Sequence, residues 1–261
     1  MADSVLYQVD SAVATITINR PAARNALTAE TKAALLDAVR AASGDAAVRA
    51  VVLTGAGPAF CSGQDLREHA ELLAAGAAPL DTVRRHYNPI IATVTGMPKP
   101  VVAALPGVAA GAGASLAFAC DFRIAAASAS FLMAFARVGL GADSGASWTL
   151  PRLVGMARAA ELLMLAEPIG SAAALGLGLL TMVVPDEELP AAAATFAARL
   201  AAGPTLAYAA IKESLLYASS HGLTESLEKE SDLQVRLGDS ADHRAATEAF
   251  LQKETPVYRG R

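Results

Sequence analysis

Cysteine is nearly missing. The 261 residues hold only Cys61 and Cys120, each among apolar or small neighbours. No metal-ligand spacing and no disulfide framework can be built from them. Buried thiols in a protein kept reduced in the cytoplasm are the simplest expectation. Charge is also sparse, at 18% of residues, and no basic block occurs. Nucleic-acid binders carry a basic stripe that neutralises phosphates. Here Lys and Arg are scattered and the net charge is −4, so no nucleic-acid partner is expected. A phosphorylated small ligand stays open, because a few placed cations suffice for it.

Long hydrophobic runs are absent with one exception. Asp3 and Asp10 interrupt the N-terminus, so no secretory signal is expected. From Pro100 to Cys120 there is no charge, a stretch long enough for a bilayer. Pro106, Gly107, Gly111 and Gly113 break it in the middle, which predicts strand, turn and buried helix, and no membrane partner. The nucleotide motifs are missing too. Gly111-x-Gly113 is followed by Leu116 where a dinucleotide fingerprint needs its third glycine, and no G-K-[S/T] occurs. The nearest approach to a serine-hydrolase elbow, Gly113 to Ala117, falls inside the predicted helix. His69, His86, His221 and His243 lie in polar helical segments, where surface positions are expected and a catalytic triad is weakly supported.

What is abundant is alanine, within a hydrophobic content of 54%. That predicts a large core or an oligomer interface. Short apolar strands are predicted at Val13–Asn19, Arg49–Thr54, after Pro100, at Phe122–Ala126 and at Leu179–Val184. Helices are predicted after Thr28 to about Ala42, near Leu66–Ala75, over Asp81–Thr95, from Gly111, over Ser147–Leu153 and Arg158–Leu165, and through most of the chain beyond Leu189. Thr28, Thr224 and Ser240 are the candidate caps. The rhythm of strand then helix argues an α/β fold. A shift to all helix near Gly203 divides the chain into residues 1–203 and 204–261.

Two small-residue turns, Phe60–Asp65 and Gly107–Gly113, each follow an apolar strand. Either is a tight packing corner or a place where a ligand approaches the main chain. Two backbone N–H groups aimed at one oxygen would form an oxyanion hole.

Together with these turns, R24-N-A-L27, G55-A-G-P-A-F-C-S-G-Q-D-L66, K99-P-V-V-A-A-L-P-G107, A110-G-A-G-A114, A119-C-D-F-R-I124 and L150-P-R-L-V-G155 resemble the crotonase, or enoyl-CoA hydratase/isomerase, family from end to end. The resemblance implies a spiral of β-β-α turns and a C-terminal helical region, residues 204–261, that builds a trimer or a dimer of trimers. It implies an acyl-CoA thioester as ligand, with coenzyme A entering as part of the substrate and no separate cofactor or metal. Matched by position, the oxyanion amides are those of Gln64 and Ala112. Arg24, Ala26, Leu27, Ser62, Asp65 and Leu66 border the CoA. Phe250 and Lys253 match a pair that touches the CoA of a neighbouring subunit.

The two pocket glutamates of hydratases fall at Ser115 and Phe135, so neither is a carboxylate here. Asp143 falls instead where isomerase and dehalogenase members place an aspartate. Overall the chain most resembles the 1,2-epoxyphenylacetyl-CoA isomerase branch. The implied activity is an isomerisation that shifts a double bond or opens an epoxide through an enolate, with Asp143 moving the proton. Enoyl-CoA hydration and non-catalytic acyl-CoA binding are the alternatives. Asp is also a favoured helix N-cap, and a helix is predicted just after Asp143. Phe131, Met133, Phe135 and Trp148 are candidate acyl-pocket residues or ordinary core. An apolar pocket would raise the pKa of Asp143 and a helix start would lower it.

Overall fold

The computed structural model describes residues 3–261. Its strands are β1 (Val5–Asp10), β2 (Val13–Ile18), β3 (Ala50–Gly55), β4 (Ala59–Cys61), β5 (Val101–Leu105), β6 (Val108–Ala110), β7 (Phe122–Ala126), β8 (Ser130–Leu132), β9 (Ile169–Gly170) and β10 (Met182–Val184). The α-helices are α1 (Ala29–Gly44), α2 (Leu66–Ala74), α3 (Asn88–Gly96), α4 (Ala112–Ala119), α5 (Ala146–Leu165), α6 (Ser171–Gly176), α7 (Leu189–Ala201), α8 (Thr205–Ala218), α9 (Leu223–Gly238) and α10 (Ala241–Gln252).

The strands form two sheets, ordered β1-β2-β3-β5-β7-β10 and β4-β6-β8-β9. Three consecutive β-β-α turns explain both orders. The first strand of each turn (β3, β5, β7) joins the large sheet, and the second (β4, β6, β8) joins the small one, all parallel within their sheets. A helix closes each turn. This is the expected spiral. β3 and β5 are buried almost throughout because α7 crosses the large sheet on one side. Sheets covered on both faces read as continuous apolar runs.

The uncharged stretch from Pro100 to Cys120 becomes β5, β6 and the wholly buried α4. No helix of the described residues is long and apolar enough to cross a membrane. Gly203 and Pro204 separate α7 from α8, after which the described chain is helical up to Gln252.

Several elements differ from expectation. β4 and β6 fall at the two small-residue turns, where no strand is expected, and the sequence pattern assigns no strand to β1, β8 or β9. The helix expected over Asp81–Thr95 forms as a continuous run over residues 82–96, but its first part is a π turn over Val83–Tyr87 that leads directly into α3. Pro89 has no N–H for the preceding turn, which gives the register a place to slip. Thr224 is not a cap. Its helix starts at Leu223, where the Glu225 carboxylate accepts from the Gly222 N–H at 2.9 Å. Thr28 and Ser240 cap as expected, accepting from Thr31 and His243. Cys61 and Cys120 are free and buried, and burial pushes each thiol up to about 12.

Candidate functional site

The spiral lays the two small-residue turns side by side, because β4 and β6 pair in parallel. Contact between the turns is close enough to require glycine. A β-carbon on Gly63, which has φ +87°, would lie 2.7 Å from the Ala110 carbonyl oxygen and 3.4 Å from the Ala112 nitrogen. The Arg24–Leu27 segment runs along the first turn: Ser62 N–H donates to Arg24, Leu27 N–H to Gly63, and Asp65 N–H to Leu27. Asn25 fixes that segment in a left-handed conformation, with its side chain bonded to Arg20, Ala56 and Ala59.

Within this bonded frame several amides of the described residues are left over, those of Gln64 and Ala112 and, further along the first turn of α4, those of Gly113 and Ala114. Neither the Gln64 nor the Ala112 N–H has an acceptor among the described residues, whereas those of Ser62, Asp65, Gly111 and Ser115 do. Ala112 is the first residue of α4, so its amide has no intrahelical partner in any case. Unsatisfied donors beside a helix start form a setting suited to negative charge.

The Gln64 side chain is held by two groups that sequence reasoning missed. Lys32 Nζ donates to Gln64 Oε1 at 3.0 Å, and Tyr87 Oη donates to the same oxygen at 2.6 Å. Lys32 is 1% exposed, and its ammonium lies 5.2 Å from the Tyr87 ring centroid. Desolvation lowers its pKa, opposed by the charges of Glu68, Asp143 and Asp65. The signal was present in the sequence: Lys32 interrupts the apolar face that Leu35, Leu36 and Val39 continue. Lys32, Gln64, Glu68, Leu72, Thr82 and His86 border a cavity of about 310 Å³. His86 and His69 are half-buried, contrary to the surface positions expected for them. Burial, with Lys32 and Arg85 nearby, lowers the pKa of His86.

Asp143 is half-buried in the loop before α5. It does not cap that helix, which begins at Ala146 with Gly145 at the N-cap. Its carboxylate accepts from the Ser144 hydroxyl at 2.8 Å, and its main-chain carbonyl accepts from Ala146. Ser144 is buried with φ +52°, an uncommon conformation for a residue other than glycine. The competing influences on Asp143 resolve in favour of burial, which raises its pKa against the Ser144 hydrogen bond and the Lys32 charge. Burial raises the pKa of Tyr87, and the charge of Asp143 is among the smaller contributions.

The other candidates are spread around this centre. Ser115 is fully buried with its hydroxyl turned back to the Gly111 carbonyl. Phe131, Met133 and Phe135 are buried members of the main core, with Phe131 stacked on Phe118. Trp148 is 38% exposed beneath the Arg152 guanidinium. None of those four borders the cavity at Lys32. Ala26 and Leu27 are buried, Ser62 is half-buried, and Arg24 and Leu66 are exposed. Asp65 caps α2 and pairs with Arg20 at 2.8 Å. Phe250 and Lys253 lie exposed at the end of α10. No cluster suited to a metal ion occurs among the described residues.

Comparison with known proteins agrees with this architecture. The family model described as enoyl-CoA hydratase/isomerase matches residues 8–261. A protein described as a probable enoyl-CoA hydratase from Rhodobacter capsulatus is 45% identical over 259 residues, covering 99% of this chain and 98% of that protein. The 1,2-epoxyphenylacetyl-CoA isomerase of Escherichia coli is 40% identical over 264 residues, covering 100% of both. The crystal structure of an enoyl-CoA hydratase from Polaromonas sp. JS666 superposes with a TM-score of 0.90 at 37% identity, over 98% of this chain and 99% of that one.

Proposed function

The chain belongs to the enoyl-CoA hydratase/isomerase family, and from that premise we propose that it isomerises an unsaturated or epoxidised acyl-CoA thioester through an enolate. The observation that carries the reading is the pair of unpartnered N–H groups, Gln64 and Ala112, on turns in van der Waals contact. In the proposed reaction the thioester oxygen lies between them. Negative charge grows there as a proton leaves a neighbouring carbon, and fixed amides stabilise it without reorganising. Losing one such donor typically costs about 3 kcal/mol of barrier.

Asp143 is the proposed base. Its raised pKa brings a carboxylate closer to the affinity a proton shuttle needs. One base serves both steps of a double-bond shift if it reaches both carbons. Hydration is the second reading, favoured by the name of the Rhodobacter relative. Against it stand Ser115, whose hydroxyl is spent on a main-chain carbonyl, and Phe135, which carries no acid at all. Adding water needs a held, activated water and a proton donor.

The proposed ligand frame follows the family. Arg24 is an exposed cation beside the Ser62–Leu66 turn, suited to CoA phosphates. Lys253 and Phe250 are proposed to meet the CoA of a neighbouring subunit in a trimer. Ile211, Leu215, Val235, Phe250 and Leu251 are exposed apolar residues on α8 to α10, consistent with such an assembly. Coenzyme A enters as part of the substrate, and no separate cofactor is proposed.

The test is incubation in heavy water with a panel of 2- and 3-enoyl-CoA esters and an aryl epoxide thioester. Deuterium entering the α and γ carbons supports isomerisation. Robust hydration of crotonyl-CoA without γ exchange overturns it in favour of a hydratase. Tight ester binding with neither reaction overturns it in favour of a binding protein.

A further inference from the structure

Lys32 is an expensive residue in its position. A buried ammonium must be hydrogen-bonded and charge-balanced, or it destabilises the fold by several kcal/mol. Its hydrogen-bond partner is Gln64 Oε1, 3.0 Å away, and no salt bridge forms within the distance of direct pairing. Tyr87 Oη, itself buried, donates to that same oxygen at 2.6 Å. An ammonium has only donors, so it fixes which end of the Gln64 carboxamide faces it. The side chain therefore has one orientation, held from α1 and from the π turn. The main-chain N–H of Gln64 also has no acceptor among the described residues.

We propose that Lys32 is a positioning residue which, with Tyr87, locks the Gln64 turn so that its main-chain N–H points at the substrate oxygen. It touches neither reacting atom. The proposal rests on the enolate reading above, and it deepens that reading by assigning a residue with no role there.

Two measurements test it on the intact protein. The first is the ultraviolet band of bound cinnamoyl-CoA, which moves to longer wavelength when the thioester carbonyl is polarised by hydrogen bonds. The shift seen with the wild type should shrink in Lys32→Met and in Tyr87→Phe, with binding retained. The second is the rate of α-proton exchange, whose plateau should fall about tenfold or more in Lys32→Met.

A full band shift in both Lys32→Met and Tyr87→Phe would overturn the clamp. Exchange at the wild-type rate in Lys32→Met would likewise overturn it. Tyr87→Phe keeps the ring and the charge, so it decides the clamp even where Lys32→Met fails to fold. A wild type that shifts the band yet exchanges no proton would sink the isomerase reading alone. A wild type that shifts nothing would sink both.

Discussion

A β-carbon placed on Gly113 would lie 2.2 Å from the main-chain carbonyl oxygen of Cys61. The helix that closes one turn of the spiral, α4, therefore rests directly on the second strand of the previous turn, β4. No side chain can yield there, because the obstacle is backbone. Gly113→Ala should push α4 away from β4 and separate Ala112 from the Gln64 turn. The expected cost is roughly 1–3 kcal/mol of stability, read by denaturant unfolding, together with loss of the band shift of a bound thioester. Gly96→Ala is the control, since its β-carbon meets nothing within 4 Å.

Asp143 gives a prediction about pH. Burial raises its pKa, and the Ser144 hydroxyl opposes that by bonding to the charged form. A base must be ionised to take a proton. The exchange rate should therefore fall as pH drops through this raised pKa, above the ordinary carboxylate range. Ser144→Gly removes the hydroxyl while tolerating the positive φ, so the acid limb should move further up. Asp143→Asn should keep ester binding and lose exchange by about 10²-fold or more. Wild-type exchange in Asp143→Asn would remove Asp143 from the mechanism.

Much of this arrangement was readable in the sequence, and the missing part has a common cause. β3, β5 and β7 announced themselves as apolar runs, and Thr28 marked the start of α1. β4, β6 and β8 did not, because three residues each (Ala-Phe-Cys, Val-Ala-Ala and Ser-Phe-Leu) are too few to show alternation. Their existence follows from tertiary stacking, which only the glycine contacts reveal. The positions of Gln64, Ala112 and Asp143 came from resemblance, whereas their settings came from the structure. Lys32 and Tyr87 went unremarked because a charge on one helix and a ring on another carry no joint signature until the fold brings both to one oxygen.

Arg24 makes the CoA frame testable. It is exposed, and it belongs to a segment whose main chain is bonded to the Ser62–Asp65 turn. A surface cation acting on a phosphate contributes binding that salt screens. Arg24→Ala should raise KM for a CoA ester by roughly three- to tenfold and leave kcat nearly unchanged. The same substitution should not alter KM for the pantetheine thioester, which lacks the nucleotide phosphates. An equal loss with both esters would show that Arg24 acts on the turn and not on the phosphates.

The arch that carries Gln64 should itself be sensitive to acid through Asp65. This carboxylate accepts from Arg67 and Glu68 N–H at the head of α2 and pairs with Arg20, whose guanidinium also reaches the Ala26 carbonyl. Burial pulls its pKa up, but the Arg20 hydrogen bond and the two amides outweigh it, so the group titrates below its usual value. A carboxyl with a depressed folded-state pKa contributes stability that is present above the unfolded value, near pH 4, and is lost as pH falls through the folded one. Asp65→Asn keeps the shape and part of the cap while deleting the ion pair. It should cost about 1 kcal/mol near neutral pH and flatten the decline of stability below pH 4. Thermal melts of both proteins across pH 2.5–7, on that same order-of-magnitude window, decide the matter: parallel curves would mean that Asp65 is not a source of the acid sensitivity.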